Sequence, residues 1–334
     1  MLVRSKLDYG APVYASASKS TLHLLDVVAT EALRIATGSL RSTPVESLHV
    51  LSHELPLDLR RDYLSFRYYY EIKRQPNNPV HRSVIPLHKQ YVKPQFSYRL
   101  HGITTPTWSL RPFTTNLDLH SSPKPTTPIE HFRCGYGQLR DELYHDFTFL
   151  FTDSSKSEAG VGAAAVVQDS VVSASLPREA SIFTAELYAL HLAVTRIRSL
   201  EGHRFVIVSD SLSVLQSMTA TNISHPITRK LLHDVCTLSA VHGKEVSFLW
   251  APGHVGIQGN EHADTAAKAA ARRPEELILL PYTDFYQEIF SSVHSHWSQC
   301  WLAKRSKLLE IRDTPGTWKR SNLLTRREEV ILNR

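Results

Sequence analysis

The sequence predicts an α/β fold: one mixed, five-stranded sheet with helices on both faces, preceded by a small N-terminal helical segment. Three observations predict it. Apolar, β-branched runs at 147–152, 161–167, 171–176, 205–209 and 246–250 have the length of strands and are too short for buried helices. Helical patterns lie between and after them, so 147–273 reads β-β-β-α-β-α-α-β-α, three meandering strands followed by α/β alternation. Nine of the eighteen prolines fall within 76–146, and this separates the α/β region from the helical start.

In residues 1–75, Ser20 is placed to cap a helix whose Leu22, Leu25, Val28, Ala29, Ala32, Leu33 and Ala36 share one face. Gly38 stands where that helix must end. Pro44 suits the first position of a second helix. A third runs from about Leu57 into Arg67-Tyr68-Tyr69-Tyr70, with Arg60, Arg61, Arg67, Lys73 and Arg74 along it. Those cations fit either a solvated face or a phosphate-tracking surface assisted by tyrosines. Residues 76–146, which include Ser122-Pro-Lys-Pro-Thr-Thr-Pro128, show no sustained period and read as a linker.

In 147–273, Gln168-Asp169-Ser170 joins the second and third strands as a tight hairpin. Ser181 can cap a helix to about Arg198, with Leu187, Leu190, Ala193, Val194 and Ile197 inward. Further helices start near Leu212 and at Pro226, and an alanine-rich one covers Asn260 to Ala271. Residues 274–334 carry an amphipathic helix, about 284–303, with Trp297 and Trp301, and then a basic tail.

At roughly 150 residues per domain, 334 residues suggest about two domains. Cys134, Cys236 and Cys300 lie far apart, with no C-x-x-C, which argues against a disulfide scaffold or a structural zinc site. No apolar run approaches the ~18 residues of a membrane span, and the start lacks a secretory apolar region. The chain therefore reads as a soluble intracellular protein. Its net charge of +6 is a weak pointer to nucleic acid, because 147–273 hold 11 basic and 11 acidic residues. Gly160-Val-Gly-Ala-Ala-Ala165 mimics a dinucleotide fingerprint, but a hairpin follows it where a helix is needed. No G-x-S-x-G elbow occurs, and His262, His294 and His296 lack partners at zinc spacing.

The chemistry lies in where four acids fall. Asp153 ends the first strand, Glu186 sits early in the first helix after the meander, and Asp210 ends the fourth strand. Asp264 lies in the last helix, past the loop Ala251-Pro-Gly-His-Val-Gly-Ile-Gln-Gly-Asn260. If the first and fourth strands are neighbours, Asp153 and Asp210 emerge at one sheet edge, where open α/β sheets bind ligands. Carboxylates gathered there repel by several kcal/mol at ~4 Å unless they are protonated or bound to hard divalent cations. Two such cations ~3.5–4 Å apart suit in-line displacement at a phosphodiester. His254, able to titrate near neutral pH, fits proton transfer beside a phosphate.

Phe151-Thr-Asp-Ser-Ser155, Thr184-Ala-Glu-Leu-Tyr-Ala-Leu190, Val208-Ser-Asp-Ser211 and Trp250 to Asp264 resemble, in order, the four signature blocks of type 1 ribonuclease H. The last block is most similar to that of jockey-like non-LTR retrotransposon polyproteins. The resemblance implies an RNase H-like sheet over 147–273 and an Asp-Glu-Asp-Asp site for two Mg²⁺ ions, with Mn²⁺ as a substitute. In it Asp153 bridges both ions, Asp264 completes the water-activating one, and Glu186 and Asp210 hold the other. His254, on a loop hinged by Gly253 and Gly256, assists proton transfer or product release. Ser154, which stands where the family usually has glycine, contacts the substrate backbone together with Ser211 and Asn260. The substrate implied is an RNA–DNA hybrid.

Lys6-Leu-Asp-Tyr-Gly-Ala-Pro12 and Ala32-Leu-Arg-Ile-Ala-Thr-Gly38 resemble the helical thumb of the same polyproteins, while no Tyr/Phe-x-Asp-Asp polymerase pair occurs. The resemblance thus implies an element-derived fragment without its palm. A competing reading is a decayed, non-catalytic nucleic-acid-binding fragment, and intact acids argue against it. A related DNA nuclease or integrase would lack the Gly-His-Val-Gly loop.

Overall fold

The structure, a computed structural model, describes residues 2–73, 77–80, 113–168, 170–220, 223, 225–278, 280–304, 306–316 and 326–332. Five helices open the chain: α1 (Leu2–Asp8), α2 (Ala11–Tyr14), α3 (Lys19–Thr37), α4 (Val45–Ser52) and α5 (Leu57–Lys73). Helix α3 starts one residue ahead of the expected cap, because the Ser18 hydroxyl accepts from the Thr21 amide at 3.3 Å. Gly38 ends it in the left-handed conformation, with φ 67°.

Two of the α5 cations are taken up by ion pairs. Arg60 is paired with Asp8 at 2.7 Å, and buried Arg61 reaches Asp26 at 3.3 Å. Arg67 lies over the Tyr63 ring, its carbon 5.7 Å from the centroid. Acids of the preceding helices lie within reach of Arg60 and Arg61, so those two charges are neutralised inside the unit, whereas Arg67 remains exposed to solvent. Arg74 lies outside the described residues.

Next come β1 (Phe113–Asn116), a 3₁₀ turn at Asp118–Ser121 and α6 (Ile129–Glu142). They are followed by β2 (Thr148–Ser157), β3 (Gly160–Val167), β4 (Ser170–Leu176), α7 (Ile182–Ile197), β5 (Arg204–Ser209), α8 (Leu212–Thr219), α9 (Pro226–His242), β6 (Glu245–Trp250) and α10 (Gln258–Ala270). The strands form one mixed sheet of order β1-β6-β5-β2-β3-β4, antiparallel on the β2–β3–β4 side and parallel elsewhere.

The sheet has six strands and not five, and the extra one comes from the proline-rich stretch that reads as a linker. Four residues of β1 pair in parallel with the outer edge of β6, from Phe113 opposite Val246 to Asn116 opposite Leu249. They cover the open polar edge that β6 would otherwise present. Thr114 and Ser247 hydroxyls meet at 2.7 Å, and Phe113 packs edge-on against Phe248. Among the described prolines, Pro123 and Pro125 lie in a turn and Pro128 caps α6, so these three interrupt no element. Phe132 of α6 is buried in the same core as Leu150, Phe205, Val206 and Phe248. Strands β5 and β6 are buried on both faces after their first residue, as flanking helices require.

The chain then forms α11 (Asp284–Leu302), α12 (Lys307–Ile311) and α13 (Arg326–Leu332). From Phe285 onward these residues cluster with 1–95 as one unit, while 96–284 form the other. Inside the helical unit Phe285 stacks on Tyr70 at 5.7 Å, and Trp297 and Trp301 are buried. The Trp301 indole donates to the Arg312 carbonyl at 2.8 Å, and the Arg312 guanidinium donates to the Val50 carbonyl at 2.8 Å. The stretch that reads as a tail therefore closes the core that α4 and α5 leave open. Among the described residues, no helix is long and apolar enough to cross a membrane.

Asp284, the last residue of the sheet unit, fixes the start of α7. Its carboxylate accepts from the Ser181 amide at 3.1 Å, the Ser181 hydroxyl at 2.9 Å and the Thr184 hydroxyl at 3.0 Å. Ser181 in turn caps α7 by accepting from the Thr184 amide at 3.1 Å. Asp284→Ala leaves three donors, one buried and two part-buried, short of an acceptor, and urea unfolding should show a loss of about 1–3 kcal/mol.

Candidate active site

The parallel register of β2 and β5 builds the site. The pairs run from Thr148 opposite Phe205 to Thr152 opposite Ser209, and the next residues are Asp153 and Asp210. Strands so paired lie about 4.8 Å apart, so the two carboxylates emerge side by side. Strand β2 does not end at Asp153, as the sequence suggests; it continues to Ser157 along β3 alone, with Asp153 opposite Ala164. Glu186 enters from α7, which packs on β2 and β3. Carboxylate oxygens of Asp153, Glu186 and Asp210 all lie within 4.8 Å of one another, and Asp153 and Glu186 are buried.

The neighbouring residues are arranged around these charges. The Ser154 amide donates to Asp153 Oδ1 at 2.6 Å, and the Ser154 hydroxyl donates to Glu186 Oε1 at 2.8 Å. The Trp250 indole donates to the Asp210 carbonyl at 3.0 Å. Gly253 approaches Asp210 so closely that a Cβ there would strike its carboxylate. Glu186 Oε2 is buried with no hydrogen-bond partner among the described residues.

Burial and mutual repulsion set the protonation. Burial, then the Asp210 charge, pushes Asp153 up to about 7. Burial, then Asp210 and Asp153, pushes Glu186 up to about 8. Burial raises Asp210 as well, offset in part by its own backbone amide and by His254 and Lys124.

Asp264 stands in an adjacent knot. Its carboxylate, His254 and Glu261 have ligand atoms within 4.8 Å of one another, and Lys268 pairs with Asp264 at 2.6 Å. Its charge still acts on Asp153 and Asp210. The four acids thus gather at one end of the sheet as a close three, with Asp153 and Glu186 buried and Asp210 half-buried, and a neighbouring fourth.

His254 is a non-glycine residue in the left-handed region, with φ 57°, and its imidazole is 65% exposed. Of the two glycines expected to hinge the loop, Gly256 is left-handed at φ 78°, while the loop's other left-handed residue is His254 itself and not Gly253. Glu261 serves the loop twice. Its Oε1 accepts from the Gly256 amide at 3.3 Å, and its Oε2 lies 3.9 Å from His254 Nδ1.

Ser154, expected at the substrate backbone, is buried with its hydroxyl engaged by Glu186. Ser211 begins α8 half-buried, its amide on the Ser209 hydroxyl at 3.2 Å. Asn260 is 3% exposed, and its Oδ1 is buried without a partner among the described residues. Sequence reasoning missed Glu261, although its position three residues before Asp264 puts both on one helix face. It also missed Lys124 and Arg133, for which no local signal exists.

The donor set fits a divalent cation. Clustered hard oxygens, one of them an orphaned buried carboxylate oxygen, are what Mg²⁺ and its relatives select. Residues 145–272 match the family model described as RNase H. No curated protein matches the chain. Among solved structures, LC11-RNase H1 in complex with an RNA/DNA hybrid aligns at 16% identity with a TM-score of 0.30, covering 37% of this chain and 95% of that one. Residues 145–272 are an RNase H domain, and the enzyme class this defines is ribonuclease H.

Raised carboxyl pKa values carry a definite sign. The unfolded chain releases these protons near the ordinary 3.8 and 4.5, whereas the folded, metal-free chain holds them to about 7 and 8. Between those limits the native state binds more protons, so stability falls as pH rises from about 4 to about 8. Thermal unfolding should show that decline, and Glu186→Gln should flatten it. Added Mg²⁺ should raise the melting temperature more at pH 8 than at pH 6.

Proposed function

We propose that residues 145–272 hydrolyse the RNA strand of RNA–DNA hybrids. The observation that carries this reading is the convergence of Asp153, Glu186 and Asp210 oxygens within 4.8 Å at the edge where β2 and β5 part. In this reading the three carboxylates hold divalent cations and Asp264 completes the set. Bound Mg²⁺, as two ions or with Mn²⁺ in their place, supplies a nucleophilic water and neutralises charge on the phosphodiester.

The chain's own residues prepare that chemistry. Ser154 orients Asp153 and Glu186 through two hydrogen bonds, so their oxygens are set before substrate arrives. Water adds at phosphorus, the bond to the leaving ribose oxygen breaks, and that oxygen needs a proton. The exposed imidazole of His254, at the rim beside Glu261, is the group positioned to handle it. In this reading half-buried Ser211 contacts the backbone of the bound strand while Asn260, 3% exposed, supports the site from beneath, and discrimination of RNA from DNA rests on ribose 2′-hydroxyls across a minor groove.

The origin we infer is a jockey-like retrotransposon polyprotein. Its support is the wording of 250–264 together with the thumb-like stretches 6–12 and 32–38.

A labelled hybrid tests the activity. Cleavage should require Mg²⁺ or Mn²⁺, stop with chelator and spare duplex DNA. Asp210→Asn should lower the rate by at least ~10²-fold, as removal of a group that stabilises the transition state does. Undiminished cleavage by that variant overturns the reading.

A further inference from the structure

The family match begins at residue 145, yet two cations upstream of it grip the loop that carries His254. Lys124 Nζ donates to the Gly253 carbonyl at 2.7 Å, and Arg133 Nε donates to the Val255 carbonyl at 2.7 Å. The two acceptors flank His254 on either side. The Arg133 guanidinium also fills the space that a Cβ on left-handed Gly256 would need. From the other side, Glu261 holds the Gly256 amide.

Both cations are mounted rigidly. Lys124 lies between Pro123 and Pro125, in a turn closed by the Thr126 and Thr127 amides on the Pro123 carbonyl. Arg133 follows Phe132, which is 1% exposed and anchors α6 in the sheet core. A left-handed histidine is strained and persists only where surrounding contacts over-determine the backbone. These carbonyl contacts supply that determination.

We propose that Lys124 and Arg133 are positioning residues for His254, fixing the backbone on each side so that its imidazole stays at the carboxylate cluster. The catalytic domain then functionally begins near β1, well ahead of the signature blocks. This inference rests on the ribonuclease reading for its kinetic part, but the loop restraint can be read without activity.

The test uses the full chain with Lys124→Met, Arg133→Met, both together, and Lys124→Arg as the conservative variant. Both side chains are exposed, so folding is not at stake. Each Met variant should lower kcat about tenfold, within the ~10²-fold that misplacing a group costs, with KM changed less than twofold. Lys124→Arg should retain the rate. In a His254→Ala background neither Met substitution should cause further loss. Amide exchange at 254–257 should quicken in both.

A raised KM with unchanged kcat would instead make these residues a grip on the nucleic acid and overturn the proposal. It is overturned equally if the loss persists in full without His254, or if exchange at the loop stays unchanged. Should the wild-type chain cleave no hybrid, the ribonuclease reading fails, and the exchange measurement alone still decides whether the loop is pinned.

Discussion

Asp153 and Asp210 are adjacent because the last paired residues of β2 and β5, Thr152 and Ser209, lie opposite one another in a parallel ladder. Side-chain direction in a strand alternates with every residue, so a slip by one would send one of the acids to the other face. The β5 side of the ladder is buried on both faces after its first residue, and this makes the register expensive to change. Carboxylates are thereby held closer than they would choose in water, and their protonation and their appetite for a cation both follow from that constraint.

Other parts of the sheet unit counter this repulsion. Ser154 spends both its amide and its hydroxyl on Asp153 and Glu186, and Asp284 anchors the N-terminus of the helix that brings Glu186 in. On the opposite side, the 251–257 loop is tied down by Lys124, Arg133 and Glu261. Each tie comes from a different element, so the site is a convergence of separate restraints and not the property of one motif.

The helical unit follows a comparable logic with charges of the other sign. Arg60 and Arg61 pair with acids of preceding helices, and Arg312 feeds the Val50 carbonyl. Basic residues that could have faced a phosphate backbone are consumed in joining segments far apart in sequence.

The amino-acid sequence alone determined the strands and helices of 147–273, the caps at Gly38 and Ser181, and the identity of the clustered acids. These depend on local periodicity, on capping chemistry and on motifs legible within a few residues. Tertiary structure decided what depends on partners distant in the chain. It added β1 from a proline-rich stretch, because an open edge of β6 needed cover and Pro123, Pro125 and Pro128 fall between elements. It turned Ser154 towards Glu186, separated Asp264 from the other three acids, and placed Lys124 and Arg133 on the His254 loop. A hydrogen bond spanning more than a hundred residues leaves no periodicity or spacing behind, so only the folded chain reveals which donor meets which carbonyl.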